Sequence, residues 1–154
     1  MEADRFSLAA QIRDLCLLHL NPRPRSIAIF GSFAGGVLHE TSDIDLLLIG
    51  DSIPRKPFQR AQWFLPVRLA FQKEAATQFS AFPSILSPVF LSEEGWREAV
   101  GLRLSLSQQA WILWDDGTLS STLSESAGWI ASGLWRREDV VSGGWFWIPK
   151  GAGK

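Results

Sequence analysis

Residues 31–50 read GSFAGGVLHETSDIDLLLIG, and two parts of that stretch decide the fold: Gly31-Ser32, then ten residues, then Asp43-Ile44-Asp45-Leu46. Upstream, residues 26–30 (SIAIF) make a short β-favouring run ending at Gly31; downstream, residues 44–49 (IDLLLI) make a second, ending at Gly50. The thirteen residues from 31 to 43 are too many for a tight hairpin and suit a loop with a short helix over 33–38. Side chains two apart on a strand share a face, so Asp43 and Asp45 stand side by side with Cα atoms about 6–7 Å apart, while Ile44, Leu46 and Leu48 face the other way. Two carboxylates opening an apolar strand repel each other and lose solvation, and a divalent cation between them relieves both costs. An oxygen-only donor set favours Mg²⁺ or Mn²⁺ over zinc. Gly31 lets the backbone approach a bulky anion, Ser32 supplies a hydroxyl, and the amides of the following turn can hold phosphate oxygens. A phosphate clamp beside metal-binding acids describes a triphosphate site, whose chemistry is in-line phosphoryl or nucleotidyl transfer.

Working outward, Leu8, Ile12, Leu15 and Leu18 recur at helical spacing and predict a helix over 4–19, stopped by Asn21-Pro22-Arg23-Pro24. A helix is expected to begin near Pro66, with Val67, Ala70 and Phe71 on its apolar face. Residues 85–91 (ILSPVFL) read as a third strand, set at a sheet edge by Pro88, and Ser92-Glu93-Glu94 as the start of a short helix carrying Trp96. Residues 110–114 (AWILW) are a fourth strand, and Leu119, Leu123, Ala127, Ile130 and Leu134 mark another helix. The tail GGWFWIPKGAGK is an aromatic strand or turn with a mobile end.

The motif resembles the signature of the nucleotidyltransferase superfamily that includes DNA polymerase beta, and more narrowly its stand-alone minimal nucleotidyltransferases: Gly-Ser, ten residues, Asp-x-Asp, with the Ser-Asp-Ile-Asp core and its apolar flanks. The resemblance implies an α/β (α+β) nucleotidyltransferase palm over residues 1–100, a small mixed sheet with flanking helices gathered on one side. A C-terminal helical and aromatic extension over 101–154 would pack on the same domain. It implies that Gly31 and Ser32 bind the nucleotide and that Asp43 and Asp45 are the catalytic, metal-binding acids. The cofactor would be Mg²⁺ or Mn²⁺, the substrate an NTP, with ATP the first choice, and the acceptor a hydroxyl of a protein or RNA. It further implies the antitoxin of a two-gene pair whose partner is a HEPN-domain toxin. Two positions depart from the pattern: Gly35 stands where many relatives carry Arg, and residues 85–91 hold no third carboxylate. A non-catalytic nucleotide- or partner-binding module is the rival reading, and an RNA-binding regulator a third.

Composition bounds these readings. The chain has 154 residues, 46% hydrophobic and 20% charged, which fits one globular domain and excludes a disordered or collagen-like chain. Net charge is −1, so nucleic-acid contact would need a local patch; the one basic stretch is Arg55, Lys56, Arg60, Arg68 and Lys73, with no acid among them. The single cysteine, Cys16, excludes an internal disulfide and suits a reducing cytoplasm. No apolar run reaches membrane-spanning length and the first residues do not read as a secretory signal, so the expected location is cytoplasmic, with no membrane partner. Glu93, Glu94, Asp115 and Asp116 read as helix-start and turn acids. His19 reads as a surface residue, and His39 as surface or within reach of a phosphate. Trp145 and Trp147 share a strand face that needs apolar cover, from this chain, a partner or a second copy, and Lys150 and Lys154 make a thin case for single-stranded nucleic acid.

Overall fold

A computed structural model describes residues 2–36, 43–79 and 85–152. Its centre is a four-stranded mixed sheet of β1 (Ser26–Phe30), β2 (Ile44–Ile49), β3 (Leu86–Leu91) and β4 (Trp111–Trp114), in the order β3-β2-β1-β4. β1 runs antiparallel to both β2 and β4, and β2 runs parallel to β3. Pro88, which has no N–H to donate, sits on β3 at the edge, as its chemistry requires.

Alternation along β2 divides two cores. Ile44, Leu46 and Leu48 join Leu8 and Ile12 of α1 (Glu2–His19) and Phe64 and Val67 of α3 (Pro57–Ala70) on one face. Leu47 and Ile49 join Trp96 of α5 (Glu93–Glu98), Leu106 of α6 (Val100–Gln108) and Leu119 and Leu123 of α7 (Thr118–Ala131) on the other. Helices therefore cover both faces, not one as expected, because every inward position of β2 beyond Asp45 is apolar on both sides. The short α2 (Gly31–Gly35) lies inside the motif, and the chain continues from α3 through a π-helical turn (Phe71–Ala75) into α4 (Ala76–Gln78).

Three expectations need correction. α3 begins at Pro57, and Pro66 lies inside it; both Pro66 and Gln62, whose carbonyl the ring crowds, are exposed, so water can take up the freed group. Leu18 is 76% exposed, and Cys16 takes the buried position instead. Leu134 lies beyond α7, which stops where Gly133 adopts a positive φ of 79°. Two elements carried no expectation. Residues 100–108 form α6 although Leu102, Leu104 and Leu106 alternate like a strand. Trp135–Asp139 forms β5, paired antiparallel with β6 (Trp145–Pro149) in a hairpin that turns through Gly143 and Gly144, both at positive φ. Ser92 caps α5 as expected, its Oγ accepting from the Gly95 amide at 3.0 Å. No described helix is long and apolar enough to cross a membrane.

Candidate functional site

The end of β1 and the start of β2 lie side by side, so the chain's turn out of β1 meets the acids entering β2. Asp45 is the Cα partner of Phe30 on one side and of Ser87 on the other. Directly after Phe30 the backbone bends through Gly31 at φ +70°, and a Cβ built there would lie 2.2 Å from Asp45 Oδ2. Glycine is thus required twice, by the left-handed backbone and by the carboxylate against it. Ser32 follows in the first turn of α2, half-buried; Asp43 precedes β2 and is exposed. The four residues singled out in the sequence are therefore gathered at one end of the sheet. Asp45 titrates above the ordinary aspartate range, chiefly because burial disfavours its charge and secondly because Asp43 repels it.

What holds α2 in place was not legible from the motif. The guanidinium of Arg5, from α1, donates to the Phe33 carbonyl at the end of α2. It lies 5.3 Å from the Phe33 ring and 4.8 Å from that of Trp111. Phe33 is buried edge-on to Trp111, which stacks on Phe6 at 4.7 Å. A cation among aromatic faces at a helix C-terminus is favoured twice, by the ring quadrupoles and by the backbone dipoles. The only sequence signal for it is Arg5 beside Phe6, one turn before Leu8. At Gly35 a Cβ would fall 2.7 Å from the Gln109 carboxamide, the far end of a flexible side chain.

The other acids singled out in the sequence lie away from this end of the sheet, and three of the four have partners there. Arg25 pairs with Glu93 and with Asp116, the latter at 2.6 Å from Nε, at the opposite end of the sheet. Asp115 accepts from the Leu119 and Ser120 amides and from Ser26 Oγ, capping α7. Glu94 is exposed on α5. Ser87 stands on β3 in register with Asp45, and among the described residues no group of three His, Cys, Asp or Glu is placed to share an ion. His39 and Lys154 lie outside the described residues; His19 is exposed at the end of α1. Burial pushes the Cys16 thiol up to about 12, which leaves it unreactive.

Of the basic stretch, Arg60 donates to the Pro54 and Arg55 carbonyls and Arg68 to the Leu86 carbonyl, so two of its five cations hold backbone. Trp147 donates to Ser105 Oγ of α6 at 3.0 Å, so the aromatic hairpin packs on its own chain there, while Trp145 and Phe146 are exposed.

The nucleotidyltransferase domain family matches residues 11–89, which run from the second half of α1 into β3 and so include the whole Gly-Ser and Asp-x-Asp arrangement. No curated protein matches in sequence. Among solved structures, the chain is similar to a crystal structure of a toxin–antitoxin with AMP-PNP, at 18% identity and a TM-score of 0.51, covering 80% of this chain and 87% of that one. It is also similar to a mutant of the toxin–antitoxin MntA–HpeT, at 14% identity and a TM-score of 0.49, with the same coverage. The first of these shares the fold described above, and the family match extends over half of the chain: the protein belongs to the nucleotidyltransferase domain family.

Proposed function

We propose that this chain is a magnesium-dependent nucleotidyltransferase that moves NMP from an NTP, ATP foremost, to a hydroxyl of a protein or RNA in the cytoplasm. The observation that carries it is the contact between Gly31 and the Asp45 carboxylate, which joins the Gly-Ser bend and the paired acids into one site. The residues fit a divalent ion: two carboxylates, one of them held above its ordinary range by burial and by its neighbour, form an oxygen donor set short of positive charge. Asp43 and Asp45 would hold Mg²⁺ or Mn²⁺, which when bound neutralises phosphate charge. Gly31 lets the bend close against the Asp45 carboxylate, and Ser32 would offer its hydroxyl to the phosphates. Arg5 fixes the helix that carries both through the Phe33 carbonyl.

The similarity to a structure described as a toxin–antitoxin with AMP-PNP supports ATP as donor and a toxin as partner; that the toxin is of the HEPN class and serves as acceptor is what the motif's resemblance adds. A second reading, a binding module without transfer, is favoured by Ser87, a hydroxyl beside Asp45 where a third carboxylate would complete the site. Label transfer decides between them. Purified protein is incubated with labelled ATP, GTP, CTP or UTP, Mg²⁺ and the candidate partner, alongside the Asp43→Ala, Asp45→Ala double variant. Transfer by the wild type alone supports the enzyme. Equal absence of transfer, with partner binding intact in both, establishes the module.

A further inference from the structure

α3 is apolar on two opposite sides, and only one of them is used. At 3.6 residues per turn, Phe64 and Val67 fall on the side buried against the sheet, while Phe58, Ala61, Leu65 and Leu69 fall in a single stripe facing away from it. Phe58 is 73% exposed, Leu65 45% and Leu69 56%. From Phe58 to Leu69 the stripe runs three turns, about 16 Å at 1.5 Å per residue. Scattered exposed apolar residues are ordinary, but a stripe in helical register is the form that a second helix recognises.

The surroundings specify what kind of helix. From residue 54 to residue 73 there is no acid, and Arg55 and Lys56 before the first turn and Lys73 beyond the last border the two ends of the stripe with positive charge, while Arg68 is turned to the Leu86 carbonyl and the Phe64 ring. A second copy of this chain would bring the same cations together: an antiparallel pairing that sets Phe58 against Leu69 places Arg55 and Lys56 beside Lys73 of the other copy. A membrane surface calls for cations along the whole polar margin, whereas the middle of α3 is bordered by Gln59, Gln62 and Pro66. We infer that the outer face of α3 is a docking surface for an amphipathic helix of another protein, with an apolar stripe flanked by carboxylates. The surface lies outside the Gly31–Asp45 site, so the inference is independent of nucleotidyl transfer.

The test uses the full chain and a synthetic helix with leucine at heptad positions a and d and glutamate at e and g, a twin carrying lysine in place of glutamate, and anionic phosphatidylglycerol vesicles. Binding is followed by fluorescence anisotropy for the peptides and by co-sedimentation for the vesicles. The glutamate peptide is expected to bind, more weakly as salt rises, and the lysine twin and the vesicles are not. Leu65→Gln with Leu69→Gln should weaken the glutamate peptide at least about tenfold. Arg55→Gln with Lys56→Gln, exposed residues whose loss leaves the core intact, should reduce the salt dependence. Equal binding of both peptides, uptake by vesicles alone, failure of the glutamate peptide to bind, or indifference to both double variants would overturn the inference. Thermal unfolding of each variant checks that the fold is kept.

Discussion

Gly31 and Asp45 touch: the α-carbon of one is set so close to the carboxylate of the other that a single methyl group would land 2.2 Å from Oδ2. Gly31→Ala therefore meets two obstacles, the positive φ and the contact, and is expected to lose about 2 kcal/mol or more in urea unfolding. The double variant Gly31→Ala, Asp45→Ala removes the contact but keeps the backbone strain. It should recover part of that loss, giving a coupling energy that the two single variants cannot explain by addition.

Asp45 carries a folding cost at neutral pH. Its carboxyl is held above the 3.8 of a free aspartate, first by burial and then by Asp43, so its proton is bound more tightly when the chain is folded. Stability from this group is greatest below 3.8 and falls as pH rises through the raised value. Asp45→Asn is thus expected to unfold at the same temperature as wild type or higher, against the usual destabilisation of about 1 kcal/mol for a substitution. Adding Mg²⁺ with ATP should raise the melting temperature of the wild type and not of the variant. A variant that melts lower, or that gains as much from Mg²⁺ and ATP, contradicts the assignment.

At the other end of the sheet the sign reverses. Asp116 is held down to about 2, mainly by hydrogen bonds from Thr118 and Arg25. Asp115 is also lowered: burial pushes it up, but the bonds from Ser120, Ser26 and Leu119 outweigh that. Stability from both is present above 3.8 and is lost as pH falls towards 2. Urea midpoints measured down this range should drop for the wild type, and the drop should be smaller for Asp116→Asn. Parallel curves for the two proteins would refute it.

Arg5 is expected to govern α2 through shape as much as charge. Arg5→Lys keeps the charge but loses the planar fork that lies between Phe33 and Trp111 and reaches the Phe33 carbonyl. It should cost about 1–2 kcal/mol in unfolding and weaken nucleotide binding, measured by calorimetry, although Arg5 itself touches neither acid. Arg5→Lys with wild-type stability would remove this role.

The motif was readable because each part follows a local rule. A glycine ends a strand, two acids stand two apart, and apolar residues fill the rest of β2, so β1, β2 and the nearness of Gly31 to Asp45 were legible. Pro88 and Ser92 were likewise legible, one by its missing N–H and the other by its hydroxyl before two acids. Where the reading failed, a distant partner had overridden the local pattern. Alternating leucines at 102, 104 and 106 became α6 because Leu104 and Leu106 find separate buried places while Arg103 lies buried over the Trp129 ring. Pro66 reads as a helix start because exposure, which makes an internal proline tolerable, is not visible in sequence. Arg5 acts on α2 from far away in the chain, and nothing near residues 31–50 announces it.

Arg25 pairs with Glu93 and Asp116 at the pole of the sheet remote from Asp43 and Asp45. A chain altered at Asp43 and Asp45 would keep this pairing and both buried cores, so change at one end of the sheet need leave no trace in foldedness.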